Sequence, residues 1–119
     1  MGFVRACALT DIADDAALGV TVDGQDVALA RHGDEVLAIE DMCSHASVAL
    51  SEGDYEISDG ECTVECWLHG SRFDLRTGKP TGLPATEPVA TFPVEIRDVD
   101  GQQTVWVDVE TFLNGVTPQ

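Results

Sequence analysis

Cys43-Ser44-His45 and Cys66-Trp67-Leu68-His69 are the two segments that decide how this chain of 119 residues is interpreted. Each pairs a cysteine thiolate donor with an imidazole donor, and twenty residues separate the two segments. Donors that converge from two such segments can hold a common metal centre. The sequence therefore predicts a metal site with four ligands: Cys43, His45, Cys66 and His69.

Two kinds of metal centre use this combination of donors. A Cys₂His₂ zinc site binds the same donor types in tetrahedral geometry. A mixed-ligand [2Fe-2S] centre has two histidines in place of two cysteines on one iron. Zinc motifs usually pair Cys with Cys and His with His at local spacings, whereas each segment here mixes the two. The pattern favours the iron–sulfur centre and leaves zinc as the alternative.

The residues around these segments form short apolar runs bounded by turn residues, which is typical of β-strands. Three runs with glycine-containing turns between them predict a meander of strands at 20–22, 27–30 and 36–39. Two further runs, 92–96 and 104–109, predict a second hairpin. A short helical turn is expected over 11–18, with Thr10 or Asp11 as its cap. The predicted fold class is all-β, a small antiparallel sandwich or barrel whose loops carry the ligands.

Length and composition predict a single domain over residues 1–119, because 44% hydrophobic residues against 24% charged ones can form one core. The 22 acidic and 6 basic residues give a net charge of −16, which argues against binding to nucleic acid or anionic membranes. A basic protein partner would complement this charge, but the charge can equally serve solubility alone. With no signal peptide pattern and no bilayer-spanning window, a cytoplasmic protein is expected.

Beyond the ligand residues themselves, the stretch from Met42 to Pro84 resembles the Rieske ferredoxins that serve bacterial ring-hydroxylating dioxygenases. The resemblance includes both ligand segments, Leu50-Ser51-Glu52-Gly53 after the first, and His69-Gly70-Ser71-Arg72-Phe73-Asp74 in the second. It implies the Rieske fold, with a cluster-binding subdomain of two loops, and one Rieske-type [2Fe-2S] cluster per chain. It also implies that Cys43 and Cys66 hold the buried iron, that His45 and His69 hold the outer iron near solvent, and that Pro84 belongs to a loop covering the cluster.

Four positions indicate the subtype. Val48 and Leu68 stand where cytochrome bc-complex Rieske proteins have two cysteines in a disulfide, and Phe73 stands where those proteins have a tyrosine that bonds a ligand sulfur. Ser71 matches a serine whose hydroxyl can reach a cluster sulfide. Hydrogen bonds to sulfur raise the reduction potential, and Phe73 lacks the hydroxyl that would donate one. Because a net charge of −16 also opposes reduction, we expect a reduction potential on the order of −150 mV.

The resemblance predicts an electron-transfer protein and not an enzyme. A soluble, monomeric one-electron carrier would take electrons from a ferredoxin reductase and deliver them to a terminal oxygenase, through transient complexes with modest interfaces. One alternative is a permanent small Rieske subunit of a multi-component reductase or oxygenase. Another is an accessory protein in redox sensing or iron–sulfur assembly, which would require a reactive Cys7 or Cys62.

Three potential donors lie outside the two ligand segments. Cys7 and Cys62 are predicted to be small buried hydrophobes. Cys62 lies four residues before Cys66, so in a strand both side chains would face the same side. His32 falls in a His-Gly-Asp turn between two predicted strands and is expected to be a surface histidine.

Overall fold

The computed structural model describes residues 2–42, 49–53, 55–58, 61–66, 70–81 and 87–118. These residues form ten strands, all paired antiparallel, so the all-β prediction is confirmed. None of the described segments forms a helix long and apolar enough to cross a membrane. The strands are β1 Val4–Ala8, β2 Ala16–Val22, β3 Gln25–His32, β4 Glu35–Glu40, β5 Tyr55–Ser58, β6 Glu61–Glu65, β7 Arg72–Asp74, β8 Thr91–Phe92, β9 Val94–Val99 and β10 Gln102–Val107.

The strands build three sheets, in the orders β1-β10-β9, β2-β3-β4-β8 and β5-β6-β7. The four-stranded sheet contributes side chains to two apolar cores. On β3, Val27 and Leu29 lie in one core with residues of β1 and β10, whereas Ala28 and Ala30 lie in the other with residues of β6 and β7. Successive side chains of a strand point to opposite faces, which explains why this run is apolar throughout.

The first turn of the predicted meander and the turn of the predicted second hairpin are both present, each with two residues. The run predicted at 92–96 is divided, because Phe92 belongs to β8 in another sheet and the hairpin strand begins at Val94. Asp23 and Gly24 have φ angles of 50° and 81°, and Asp100 and Gly101 have φ angles of 53° and 82°. Two consecutive positive φ angles are the mark of a type I′ turn, whose twist matches that of the flanking strands. The Asp-Gly pairs therefore fix the β2–β3 and β9–β10 connections.

The prediction of a helical turn over 11–18 is wrong. The chain instead forms a 3₁₀ turn at Leu9–Asp11, and β2 begins at Ala16. The Asp11 carboxylate accepts a hydrogen bond from the Ala8 amide at 3.0 Å, so it supports the earlier turn. Asp15 has a φ of 57°, which is not helical. A local bond from Asp11 and the pairing of β2 with β3 have here replaced the helical turn that the sequence suggested.

An ion pair joins the turn after β7 to the start of β4. Both terminal nitrogens of Arg76 donate to the Glu35 carboxylate, at 2.8 and 2.7 Å. This hydrogen bonding with Arg76 lowers the pKa of Glu35. Both side chains are nearly half exposed, so the pair is worth at most about 1 kcal/mol. It adds a polar contact to the apolar core between these two sheets.

Candidate metal centre

Strand β6 leads directly into Cys66, which follows its last residue. The Cys66 side chain is fully buried, in the apolar core that also contains Cys62, Val64 and Phe73. Cys62 and Cys66 thus share one core, as the strand alternation predicts. The fold places this thiol among apolar side chains at the end of the β5-β6-β7 sheet.

Main-chain hydrogen bonds close the second ligand segment at its base. The Cys66 amide donates to the Ser71 carbonyl at 2.6 Å, and the Gly70 amide donates to the Cys66 carbonyl at 2.8 Å. Gly70 has a φ of 77°, in the left-handed region that glycine adopts without steric cost. Ser71 is fully buried beside Cys66. The backbone at both ends of 67–69, which includes His69, is therefore fixed.

A side-chain clip closes the first ligand segment. Asp41 lies just before it and Ser51 just after it, and the Ser51 amide and hydroxyl donate to the two Asp41 carboxylate oxygens at 2.7 and 2.6 Å. Gly19 of β2 lies against this pair, because a Cβ there would come within 2.5 Å of Ser51 Oγ and 2.8 Å of Asp41 Oδ2. The clip and the close approach of β2 fix both ends of the segment that carries Cys43 and His45.

Removing the Ser51 hydroxyl, which bonds Asp41, should lower the stability of the fold measurably. We expect Ser51→Ala to lower the free energy of unfolding in urea by about 1–2 kcal/mol, because the lost bond is short, partly buried and accepted by a carboxylate. Thr21→Val is the matched control, since it removes an exposed hydroxyl that also donates to a carboxylate, that of Asp26, at 2.9 Å. Equal losses in the two variants would contradict a special role for the clip.

Gly53 brings the chain that follows the first ligand segment into backbone contact with Glu65, just before the second. A Cβ at Gly53 would overlap the carbonyl oxygen of Glu65, the residue immediately before Cys66. Gly53 has a φ of −91°, which any residue can adopt, so glycine is required here for space alone. The chain after the first ligand segment therefore packs against the backbone that leads into the second.

The base of the loop at 78–84, which the resemblance predicts to cover the cluster, is anchored to β7. The Asp74 amide donates to the Lys79 carbonyl at 2.9 Å, and the Thr81 amide donates to the Arg72 carbonyl at 2.7 Å. Pro80 forms an antiparallel bridge with Phe73. Pro84, which is predicted to cover the cluster, lies outside the described residues.

Of the four predicted ligands, the structure describes Cys66. Cys43, His45 and His69 lie outside the described residues, as do Val48 and Leu68. The two predicted tuning positions are described, and both Ser71 and Phe73 are fully buried.

The other predicted positions lie where the sequence suggested. Cys7 is buried in the core between the first two sheets, apart from the core of Cys66. Burial, and secondarily the Asp11 charge, raises the pKa of Cys7, which keeps it a protonated and unreactive thiol. His32 is a surface histidine at the end of β3, and its Nδ1 lies 2.7 Å from Asp15 Oδ1. This hydrogen bond raises the pKa of His32.

The described part of the site fits a mixed Cys/His iron–sulfur cluster. Cys66 is fully buried, as a thiolate ligand of an inner iron should be, and Ser71 supplies a buried hydroxyl-bearing side chain next to it. The surroundings are apolar, which limits the access of water to such a centre. The donor set of two thiolates and two imidazoles in the sequence completes the match.

These features define a small antiparallel β protein whose sequence has the donor set of an iron–sulfur protein and whose Cys66 lies at the end of the β5-β6-β7 sheet. The model of the Rieske [2Fe-2S] domain matches residues 2–93, and the chain belongs to this family. Its cofactor is accordingly a Rieske-type [2Fe-2S] cluster.

Named relatives fall in the same class. The ferredoxin component of the naphthalene 1,2-dioxygenase system of Pseudomonas putida is 38% identical over 97 residues, which are 82% of this chain and 89% of the relative. The ferredoxin of carbazole 1,9a-dioxygenase from Nocardioides aromaticivorans IC177 superimposes with a TM-score of 0.74 at 32% identity, covering 100% of both chains. A complex of reduced oxygenase and oxidized ferredoxin in carbazole 1,9a-dioxygenase matches with a TM-score of 0.69 at 34% identity, covering 88% of this chain and 91% of that one.

Proposed function

We propose that this chain is the ferredoxin of a ring-hydroxylating dioxygenase system, a one-electron carrier that is not itself a catalyst. The observation that carries the proposal is its match to a carbazole dioxygenase ferredoxin over the full length of both chains. A related ferredoxin forms a complex with its oxygenase, and we assign an oxygenase as the electron acceptor here. A ferredoxin reductase is the proposed donor, and the protein is proposed to act as a monomer in the cytoplasm.

The proposed ligands are Cys43 and Cys66 for the inner iron and His45 and His69 for the outer iron. When bound, the cluster supplies a site that accepts and releases one electron at a time. The burial of Cys66 keeps water from its thiolate. One domain over residues 1–119 suffices for this role.

The side chains near Cys66 favour a low reduction potential. Phe73 is fully buried and has no hydroxyl to donate to a sulfur atom. Arg72, the cation nearest in sequence to Cys66, lies 3.6 Å from carboxylate oxygens of both Glu56 and Glu65, so its charge is already compensated. Because reduction adds negative charge to a protein that already carries −16, it is opposed electrostatically.

Redox titration followed by EPR spectroscopy tests the proposal. We expect the dithionite-reduced protein to give the signal of a reduced [2Fe-2S] cluster, with a midpoint on the order of −150 mV. A midpoint above about +100 mV would contradict the low-potential assignment, because that value lies towards the upper end of the Rieske range. An EPR-silent protein that contains stoichiometric zinc would overturn the proposed function.

A further inference from the structure

Glu40, the last residue of β4, carries a buried carboxylate. It is 2% exposed, whereas carboxylates are almost always exposed in folded proteins. Glu40 lies opposite Val27 in the β3–β4 ladder, and opposite residues project from the same face of a sheet. Val27 belongs to the core that contains residues of β1 and β10. The Glu40 carboxylate is therefore on a face of this sheet that packs in an apolar core.

Two hydrogen bonds join Glu40 to Ala90, the residue before β8. The Glu40 amide donates to the Ala90 carbonyl at 2.8 Å, and the Ala90 amide donates to the Glu40 side-chain Oε1 at 3.2 Å. In a regular antiparallel ladder the second bond would go to the main-chain carbonyl of Glu40. Here a carboxylate oxygen takes that place, which gives a buried polar atom the donor it requires. The end of β4 is thus fixed together with its carboxylate.

Glu40 is also close in sequence to the cluster site. It lies three residues before Cys43, a proposed ligand of the inner iron. Because a chain spans at most about 3.6 Å per residue, the Cα atoms of Glu40 and Cys43 are at most about 11 Å apart, whatever path the chain takes. The other buried acidic residue in the described part of the chain is Asp108, which is 8% exposed and lies far in sequence from both ligand segments. Glu40 is therefore the buried carboxylate that covalent geometry keeps near the cluster.

We propose that the buried carboxylate of Glu40 lowers the reduction potential of the cluster. The proposal rests on the proposed function, because Cys43 is one of its assigned ligands. Reduction adds an electron to the cluster, and a nearby negative charge opposes it. Salt screens exposed charges over about 10 Å, whereas a buried charge is screened much less. With an effective dielectric constant of about 20 and a separation on the order of 12 Å, one buried charge changes the reduction equilibrium about tenfold.

Redox titration of Glu40→Gln tests this role. Glutamine removes the charge and keeps a side-chain oxygen for the Ala90 amide. We expect the reduction equilibrium to shift about tenfold towards the reduced cluster, which is a rise of about 59 mV in the midpoint of a one-electron couple. Glu52→Gln is the matched control, because it makes the same change at an exposed residue after the first ligand segment. Its reduction equilibrium should stay within about twofold of the wild type.

Glu40→Asp separates the charge from the packing, because aspartate keeps the charge on a shorter side chain. Its midpoint should stay near that of the wild type. An unchanged midpoint in Glu40→Gln would overturn the proposal. An equal rise in Glu40→Asp would also overturn it, because packing and not charge would then set the potential. The same holds for a rise in Glu52→Gln as large as that in Glu40→Gln, since burial would then have no part in the effect.

Should Glu40→Gln not fold, the infrared spectrum of the wild type still decides. Isotopic labelling of the glutamate carboxyl groups distinguishes them from those of aspartate. Exposed glutamates are ionised at neutral pH, and Glu40 is the buried glutamate among the described residues. A protonated carboxyl band that moves with the label would therefore overturn the proposal, whereas labelled carboxylate bands alone would support it. A wild-type protein without an iron–sulfur EPR signal would instead refute the proposed function, and that result needs no variant.

Discussion

Gly53→Ala is expected to cost about 3 kcal/mol of folding free energy, at the upper end for overpacking. The added Cβ would overlap the Glu65 carbonyl oxygen. That carbonyl cannot move freely, because Glu65 pairs with Arg72 across the sheet and the next amide, that of Cys66, is bonded to Ser71. Since typical domains are stable by only about 5–15 kcal/mol, the variant should contain a much larger unfolded fraction.

Urea unfolding of Gly53→Ala and Gly33→Ala separates crowding from backbone strain. Gly33 has a φ of 61° and no atom lies within 4 Å of a Cβ built on it, so its alanine variant meets only the left-handed penalty of about 1–2 kcal/mol. Gly53 has an ordinary φ of −91°, so its alanine variant meets only the overlap. If Gly53→Ala proves no less stable than Gly33→Ala, then the fold does not depend on the close contact between Gly53 and Glu65.

The strands and turns could be predicted because their signals are local. The Asp-Gly pairs at 23–24 and 100–101 have the chemistry of a two-residue turn, and the apolar runs beside them indicate the strands that each turn joins. The helical turn expected over 11–18 did not form, because the Asp11 carboxylate bonds the Ala8 amide and residues 16–18 pair with β3 instead. Short polar side chains offer the backbone several local partners, and sequence alone does not say which is chosen.

The predicted ligands and their spacing come from the sequence alone, whereas the contacts at the ends of their two segments could not be predicted from it. Aspartate and serine are common at protein surfaces, so nothing in the sequence singles out the pair Asp41 and Ser51. Asn114 bonds partners up to 37 positions away in the chain. Such pairs have no periodicity or motif and exist only once the sheets have packed. One signal was available: Gly19 lies within a run that forms a strand, and an isolated glycine there indicates close approach of another chain segment.

The second large effect is expected from Cys66→Ser, which should abolish binding of the iron–sulfur cluster. A serine hydroxyl is a hard, poorly ionised ligand and does not replace a thiolate on iron. Loss of a residue that only hydrogen-bonds a metal ligand already weakens metal binding about 10–100-fold, and loss of the ligand itself should weaken it more. Iron and acid-labile sulfide in the purified variant should therefore fall to less than about a tenth of the wild-type content. The visible absorption of the cluster should be lost in parallel.

Cys62→Ser is the matched control for this experiment. Cys62 lies four residues before Cys66 in the same core and is 1% exposed, so the same substitution can be made there in similar surroundings. It lies on β6 beside β5, where the buried Tyr55 hydroxyl has no hydrogen-bond partner among the described residues, so a serine at 62 adds a polar group near that hydroxyl. The Cys62→Ser protein should therefore retain full iron content with a small loss of stability. Both cysteines are buried, and only the sequence pattern distinguishes the predicted ligand from the core residue. Iron lost from Cys62→Ser but kept in Cys66→Ser would show that Cys62 is the ligand and Cys66 the core residue.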